Sequence, residues 1–299
     1  MKTAAAARET LLQQLEGLQQ IPTIPVVLAP LLRYLQQPLD QLDVHKLTDM
    51  IAQDKSLAAQ CLRMANSPLF GRWQKVDSLR SAVIGLGFHR VSDIAMSCGV
   101  LNLFPLKASP LDPTIFWEHS LGCALVCRHF ARKIGFQDPS KAYLSGLLHD
   151  IGIIVNLWVL PEEFQAAFAT ARKEGIPLHE AELRVLGFTH SESGRLLAER
   201  WELPPDLIEV IAHHHSPAES VNHAGQVALV ELSDLLCRMS SLNHGYVESR
   251  QVNVRQEAGF SILTHQCPAL EEFDWARLTF ELDSYMDEVH SLVRAIFRS

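Results

Sequence analysis

Histidine side chains recur along this 299-residue chain at positions where helical periodicity calls for apolar residues. In the segment 206–215, a helix places His213 on the polar face, whereas His214 and His215 continue the apolar face. Burying an unpaired polar group costs about 1–3 kcal/mol, so two adjacent inward imidazoles need partners. The sequence therefore predicts a buried polar cluster around these two histidines.

Five further residues lie on inward stripes of the same kind or end an apolar segment. They are His119, His149, Asp150, His190 and Asp234. A buried aspartate is rare unless it is paired or bound to a metal. Imidazole and carboxylate ligands together suit iron, manganese, nickel or zinc. Together with His214 and His215, this set predicts a mononuclear or binuclear site for a divalent transition metal.

Taken singly, the same residues have simpler interpretations. A lone histidine on an apolar face is usually a core residue that donates to a backbone carbonyl, and one His-Asp pair is weak evidence. Cys123 and Cys127 are expected to be small core residues, and His129 and His179, which lie among charged residues, are expected to be solvated. A histidine cluster that satisfies itself without metal therefore stays open as an alternative.

The composition is that of an ordinary globular protein, with 47% hydrophobic and 20% charged residues. A net charge of −8 argues against nucleic-acid binding, which needs clustered lysine and arginine. The six cysteines form no CxxC pair, which favours reduced thiols. We find no signal peptide and no run of about 18 apolar residues, and we expect a cytoplasmic protein without membrane contact.

The spacing of apolar residues predicts an all-α fold whose helices are separated by proline and glycine. The predicted helices are 3–19, 26–36, 44–53, 56–66, 78–86, 91–103, 114–134, 140–149, 161–174, 178–186, 191–201, 205–214, 225–241 and 274–297. Three prolines within residues 105–113 predict a linker. The chain thus divides into helical lobes at 18–105 and 106–242 and a helical tail at 243–299, whose first part reads as loop.

The order of the candidate ligands along the chain resembles that of a known protein superfamily. The order of a histidine, a His-Asp pair, a histidine, a His-His pair and an aspartate resembles the HD superfamily of metal-dependent phosphohydrolases. Residues 148–152 are similar to the signature of its cyclic-dinucleotide phosphodiesterase branch. Over residues 18–241 the chain resembles the HDOD family, a group of regulatory output domains in bacterial signalling proteins. The segments that carry this resemblance are 21–25, 51–57, 63–68, 81–87, 117–120, 201–204 and 214–217.

The resemblance implies an HD-domain-like helical fold, in which an N-terminal helical lobe packs on an HD-like helical lobe. It also implies an HD-type metal site formed by His119, His149, Asp150, His190, His214, His215 and Asp234. The partner would be a signalling protein or a nucleotide ligand, and the oligomeric state, a homodimer included, stays open.

Two departures from the phosphodiesterase branch concern the substrate. That branch has a phosphate-binding lysine three residues after the aspartate of its His-Asp pair, where this chain has Ile153. The Gly-Tyr-Pro loop expected after the paired histidines is absent from residues 216–220, and Gly245-Tyr246 comes too late. Arg195 could bind the ligand in place of the lysine, although we favour a surface role. The sequence therefore indicates a non-catalytic regulatory module with a retained metal site. An active phosphohydrolase is the alternative.

Overall fold

The computed structural model describes residues 28–35, 37, 41–70, 75–101 and 111–297, together with Glu9 and Gln13. The regular structure within these residues is helical, which confirms the all-α prediction. Most of the predicted helix 3–19 and most of the predicted linker 105–113 lie outside the described residues. The chain forms two compact units, one built mainly from Pro105–Asp283 and the other from Pro22–Phe104 with Ser284–Ser299.

The smaller unit is arranged around one buried helix. Its helices are α1 (Leu28–Leu35), α2 (Val44–Ala52), α3 (Lys55–Ala65), α4 (Leu79–Leu86) and α5 (Phe88–Leu101). Every residue from Val91 to Leu101 is buried, and α5 packs against the other four helices. A Cβ on Gly99 would meet the Leu28 side chain at 2.9 Å, so the small residue lets α1 approach α5. The core of this unit is therefore built around α5, whose buried residues are mainly apolar but include Ser92, Asp93 and Ser97.

The larger unit contains all the predicted metal ligands. Its helices are α6 (Pro113–Ile134), α7 (Pro139–Leu148), α8 (Ile151–Val159), α9 (Pro161–Glu174), α10 (Leu178–Val185), α11 (His190–Arg200), α12 (Pro205–His213), α13 (Ala224–Arg238), α14 (Ala258–Gln266) and the first part of α15 (Trp275–Phe297). The central helix α6 packs against α7 and α13, and α8 packs against α11. These three pairings carry most of the candidate site.

Two helices were not predicted, for different reasons. Helix α8 is apolar on every side, and all its residues except Trp158 are buried. A helix without a polar face shows no periodicity, so its pattern cannot be told from other buried segments. Helix α14 lies in the part of the tail that we interpreted as loop, because its apolar residues do not repeat at helical spacing.

One stretch, Pro139–Val159, is long and apolar enough to cross a membrane by length and composition alone. In the structure 89% of that window is buried within the protein. It consists of two helices, α7 and α8, with His149 and Asp150 at the joint between them. The stretch is therefore a core segment that positions two polar residues inside the fold.

Candidate metal centre

The seven predicted ligands lie together in one buried cluster of the larger unit. His119 comes from the middle of α6, His149 and Asp150 from the joint between α7 and α8, His190 from the start of α11, His214 and His215 from the end of α12, and Asp234 from α13. Six of them are at most 2% exposed, and His215 is half-buried. Their assignment as metal ligands stays a prediction.

Asp150 bridges two groups of histidines through its two carboxylate oxygens. Its Oδ2 atom lies 3.4 Å from His119 Nε2 and 3.3 Å from His149 Nε2. Its Oδ1 atom lies 3.2 Å from His190 Nε2 and 3.4 Å from His214 Nε2. The backbone of Asp150 adopts φ −94° and ψ 13°, a sparsely populated conformation that recurs in functional sites. This carboxylate is therefore shared by both halves of the cluster.

Asp234 adds an oxygen that has no hydrogen-bond donor. Its Oδ1 atom is buried without such a partner and lies 3.3 Å from His119 Nε2 and 3.8 Å from His149 Nε2. Its other oxygen accepts a hydrogen bond of 2.9 Å from Arg238 Nε. Arg238 also donates to Glu248 at 2.6 Å. A buried carboxylate oxygen left without a donor is costly, and a cation at this position would remove that cost.

Four of the histidines are held in the tautomer that metal ligation requires. In each, Nδ1 faces a group that can only accept: Leu242 O for His119 (2.7 Å), Gly146 O for His149 (2.8 Å), Glu182 Oε2 for His190 (2.6 Å) and Ile211 O for His214 (3.1 Å). Nδ1 therefore carries the proton, and in the neutral ring Nε2 presents a lone pair to the centre.

The spacing between Nε2 atoms fits a shared ion. These atoms lie 3.3 Å apart in His119 and His149, 3.3 Å apart in His190 and His214, and 3.0 Å apart in His190 and His215. Two nitrogens that each lie about 2.1 Å from the same metal ion, at tetrahedral or octahedral angles, would be about 3.0–3.4 Å apart. Facing lone pairs repel one another unless a cation or a proton lies between them. The residues present therefore fit a metal.

The arrangement separates into two donor sets that share Asp150. The first donor set consists of His119, His149, Asp150 Oδ2 and Asp234. The second donor set consists of Asp150 Oδ1, His190, His214 and His215. Each set has enough imidazole and carboxylate groups to hold one transition-metal ion.

Electrostatics in the cluster drive the pKa values apart. Burial lowers the pKa of His149, but the Asp150 and Asp234 carboxylates together outweigh burial and raise it to about 10. Burial likewise lowers the pKa of His190, and Glu182 together with Asp150 raises it to about 10. At His214, burial prevails and the pKa is lowered. The cluster thus attracts positive charge, and a bound metal would displace protons from it.

Glu182 on α10 is a supporting residue that we did not predict. Its Oε2 atom accepts from the His190 ring at 2.6 Å and from the His190 backbone N–H at 2.8 Å, and its Oε1 atom accepts from Asn156 at 3.0 Å. Glu182 is fully buried. Glu182 lies four residues after Leu178 and four before Leu186, on the apolar stripe of its helix. An acidic residue on an apolar stripe is a usable sign of a buried polar partner.

A pair of glycines brings the two donor sets together. A Cβ on Gly152 would lie 1.8 Å from His190 O and 2.6 Å from Gly194 N. Helices α8 and α11 therefore approach so closely that only glycine fits at the contact. This approach places His190, the first residue of α11, next to Asp150, which directly precedes α8.

Two further histidines join the cluster. His244, in the loop after α13, lies with its Nε2 atom 3.0 Å from Asp150 Oδ2 and is 6% exposed. No periodicity marks a loop residue, so His244 could not be predicted from the sequence. The expectation that His179 is solvated is wrong, because its half-buried ring stacks on His215 with centroids 4.0 Å apart. Burial lowers its pKa to about 3.

The two residues that bear on substrate binding lie in contrasting environments. Ile153 is 0% exposed within α8. The Arg195 side chain is 42% exposed and lies 2.7 Å from Glu199 Oε1 on the same helix.

A helical fold that encloses a bridged cluster of histidines and aspartates defines an HD-related module. Residues 21–217 match the HDOD domain family, and the chain belongs to that family. The match confirms the resemblance drawn from the sequence motifs.

Three similar proteins place the chain among known structures and sequences. It is 28% identical to an HDOD domain protein of unknown function from Geobacter sulfurreducens, with a TM-score of 0.83 and 97% of both chains covered. A candidate phosphohydrolase from Shewanella amazonensis is 22% identical, with a TM-score of 0.70 and 95% of this chain and 98% of that chain covered. The second likeness shows the fold alone.

An uncharacterized protein from Treponema pallidum is 26% identical over 202 residues, which are 67% of this chain. The chain spans 39% of the length of that relative.

Proposed function

We propose that this HDOD chain is a regulatory module that holds an HD-type metal centre and does not hydrolyse phosphodiesters. The observation that carries the proposal is Ile153, which is 0% exposed where related phosphodiesterases have a phosphate-binding lysine. A buried aliphatic side chain cannot neutralise a phosphate or orient it. Phosphoryl chemistry depends almost entirely on such positioning and charge stabilisation.

Two arginines that could supply a cation have other partners. Arg238 is bound to Asp234 and Glu248 within the fold. Arg195 is paired with Glu199 at the surface. Neither arginine replaces the missing lysine without breaking an ion pair, which supports a site that binds metal without turning over a phosphodiester.

The metal would be iron, manganese, nickel or zinc, held as one or two ions by the two donor sets. When bound in an active phosphohydrolase, such ions activate water and polarise phosphate oxygens. In this chain the donor residues would instead fix the relative positions of α6, α8, α11 and α13, because each of these helices carries a ligand or begins directly after one.

The signal read by the module is proposed to be a signalling protein or a nucleotide, in a cytoplasmic setting without nucleic acid or membrane partners. The net charge of −8 and the burial of the apolar stretch Pro139–Val159 support this part of the proposal. The six cysteines are free and buried, as expected for reduced thiols.

The test is hydrolysis by metal-loaded protein that carries no polyhistidine tag. A generic phosphodiester and cyclic dinucleotides are offered to the wild type and to Asp150→Asn, which lacks the bridging carboxylate. We expect both proteins to show the same background rate. Robust hydrolysis by the wild type that disappears in Asp150→Asn would overturn the proposal.

An active metal-dependent phosphohydrolase, including a cyclic-dinucleotide phosphodiesterase, is the second candidate. The bridging position of Asp150 between two donor sets favours it, since two-metal hydrolases hold both ions close together. The same hydrolysis experiment decides between the two candidates, because only this one predicts turnover that depends on Asp150.

A further inference from the structure

His244 reaches the cluster from a loop that lies outside the matched HDOD region. Its Nε2 atom is 3.0 Å from Asp150 Oδ2, the oxygen that faces His119 and His149. Its ring lies against the His119 ring, with centroids 4.1 Å apart. His244 therefore belongs to the side of the cluster formed by the first donor set.

The loop that carries His244, residues 242–249, is attached to the site at its beginning. The Leu242 carbonyl accepts the Nδ1–H of His119 at 2.7 Å, so the same loop orients a ligand and adds a new imidazole. A Cβ on Gly122 would lie 2.4 Å from the Leu242 side chain, which shows how closely the loop packs on α6. Gly245 follows with φ +84°, a conformation that favours glycine and turns the chain away after His244.

The far end of this loop is anchored as well. The Tyr246 hydroxyl donates to Ile176 O at 3.0 Å, and the Ser249 N–H donates to Gly175 O at 2.7 Å. Glu248 accepts from Arg238, which also donates to Asp234 of the first donor set. The loop is thus fixed on both sides of His244, and its anchors include groups that hold the ligands themselves.

The number of donors decides what His244 would do. The first donor set has four protein groups, so an ion that prefers six ligands would keep two positions for water or substrate. Catalytic metal sites keep such a position open, whereas structural sites are closed by protein groups. An imidazole next to Asp150 Oδ2 is well placed to occupy one of these positions.

We propose that His244 is an additional metal ligand that takes one of the two open positions of the first donor set away from water and phosphate. This inference rests on the proposed function, and it gives that function a second structural cause beside Ile153. The 242–249 loop then acts as a built-in cap over the centre. Displacement of the loop would open one coordination position without removing any of the seven predicted ligands.

The test counts metal-bound water in untagged, full-length protein loaded with Mn²⁺. Water-proton relaxation is compared among wild type, His244→Ala and the control His265→Ala, in which an exposed histidine of α14 is removed. We expect His244→Ala to gain the relaxation contribution of one bound water per protein and to bind inorganic phosphate more tightly. Wild type and His265→Ala should show neither change.

The outcomes separate the inference from the function on which it rests. Stoichiometric Mn²⁺ with the same water count in wild type and His244→Ala would overturn the ligand role of His244 and leave the metal centre standing. Absence of Mn²⁺ binding in the wild type would overturn both. If His244→Ala does not fold, the wild type can be measured alone. Broadening of its Mn²⁺ paramagnetic resonance in ¹⁷O-enriched water counts the bound water molecules directly. Two water molecules at the first donor set would contradict the proposal.

Discussion

Replacing Glu182 with glutamine tests whether the second donor set is organised for a metal. Glu182 is 0% exposed and accepts two hydrogen bonds from His190 and one from Asn156, none longer than 3.0 Å. Glutamine keeps the shape but has one acceptor oxygen, so a donor would face its amide group. Losing an outer partner of a metal-bound histidine costs roughly 10–100-fold in affinity, or about 1.4–2.7 kcal/mol.

The assay is a competition titration of Zn²⁺ between the protein and a coloured chelator. We expect the ion of the second donor set to be weakened by this factor, while the ion of the first donor set keeps its affinity. The control is Glu180→Gln on the same helix, since Glu180 is 46% exposed and lies 3.6 Å from Arg184 at the surface. This variant should bind both ions like the wild type.

Stability has to be separated from affinity, because a buried donor left unsatisfied costs about 1–3 kcal/mol by itself. Melting of both variants in excess chelator measures that loss without metal. If Glu182→Gln binds both ions as tightly as the wild type but melts lower without metal, Glu182 is only a core hydrogen-bond partner. The reasoning about the second donor set would then be refuted.

Three other predictions concern packing, pH and metal removal. Gly152→Ala should lower the free energy of unfolding, measured by urea denaturation, by about 3 kcal/mol or more, because the added Cβ would lie 1.8 Å from His190 O. An unchanged free energy of unfolding would refute the close contact. Burial raises the pKa of Glu231 from 4.5 to about 7. Between these pH values the folded state keeps a proton that the unfolded state loses, so the free energy of unfolding falls as pH rises across this interval. The free energy of unfolding of Glu231→Gln should therefore match that of the wild type near pH 4.5 and exceed it by at most about 3 kcal/mol at pH 8. A difference between the two proteins that does not change with pH would contradict this prediction. Exhaustive chelation should lower the melting temperature of the wild type by several degrees, because metal at about 100 times its Kd adds about 2.7 kcal/mol to the free energy of unfolding. An unchanged melting curve would argue against an internal metal.

The helical part of the site could be predicted because its residues interrupt regular patterns. His119 and Asp234 lie on otherwise apolar faces of α6 and α13, and His214 continues the apolar face of α12. The structure buries all three. Periodicity is informative here because each helix has one face toward the core and another toward solvent.

The parts that could not be predicted lack such a contrast. Helix α8 is buried on all sides, so its sequence carries no helical period. His244 lies in a loop, where neighbouring residues say nothing about direction, and it meets Asp150 only through the packing of α7 and α13 on α6. The late position of Gly245-Tyr246 led us to set that segment aside, although it belongs to the loop that reaches the centre.

Elemental analysis of untagged protein tests most directly whether the buried cluster binds metal. We predict one to two equivalents of iron, manganese, nickel or zinc in the wild type, and loss of this metal from Asp150→Asn. Protein that contains no metal after purification and after incubation with each of these ions would contradict the account, and the inward histidines would then be satisfied by one another and by the backbone.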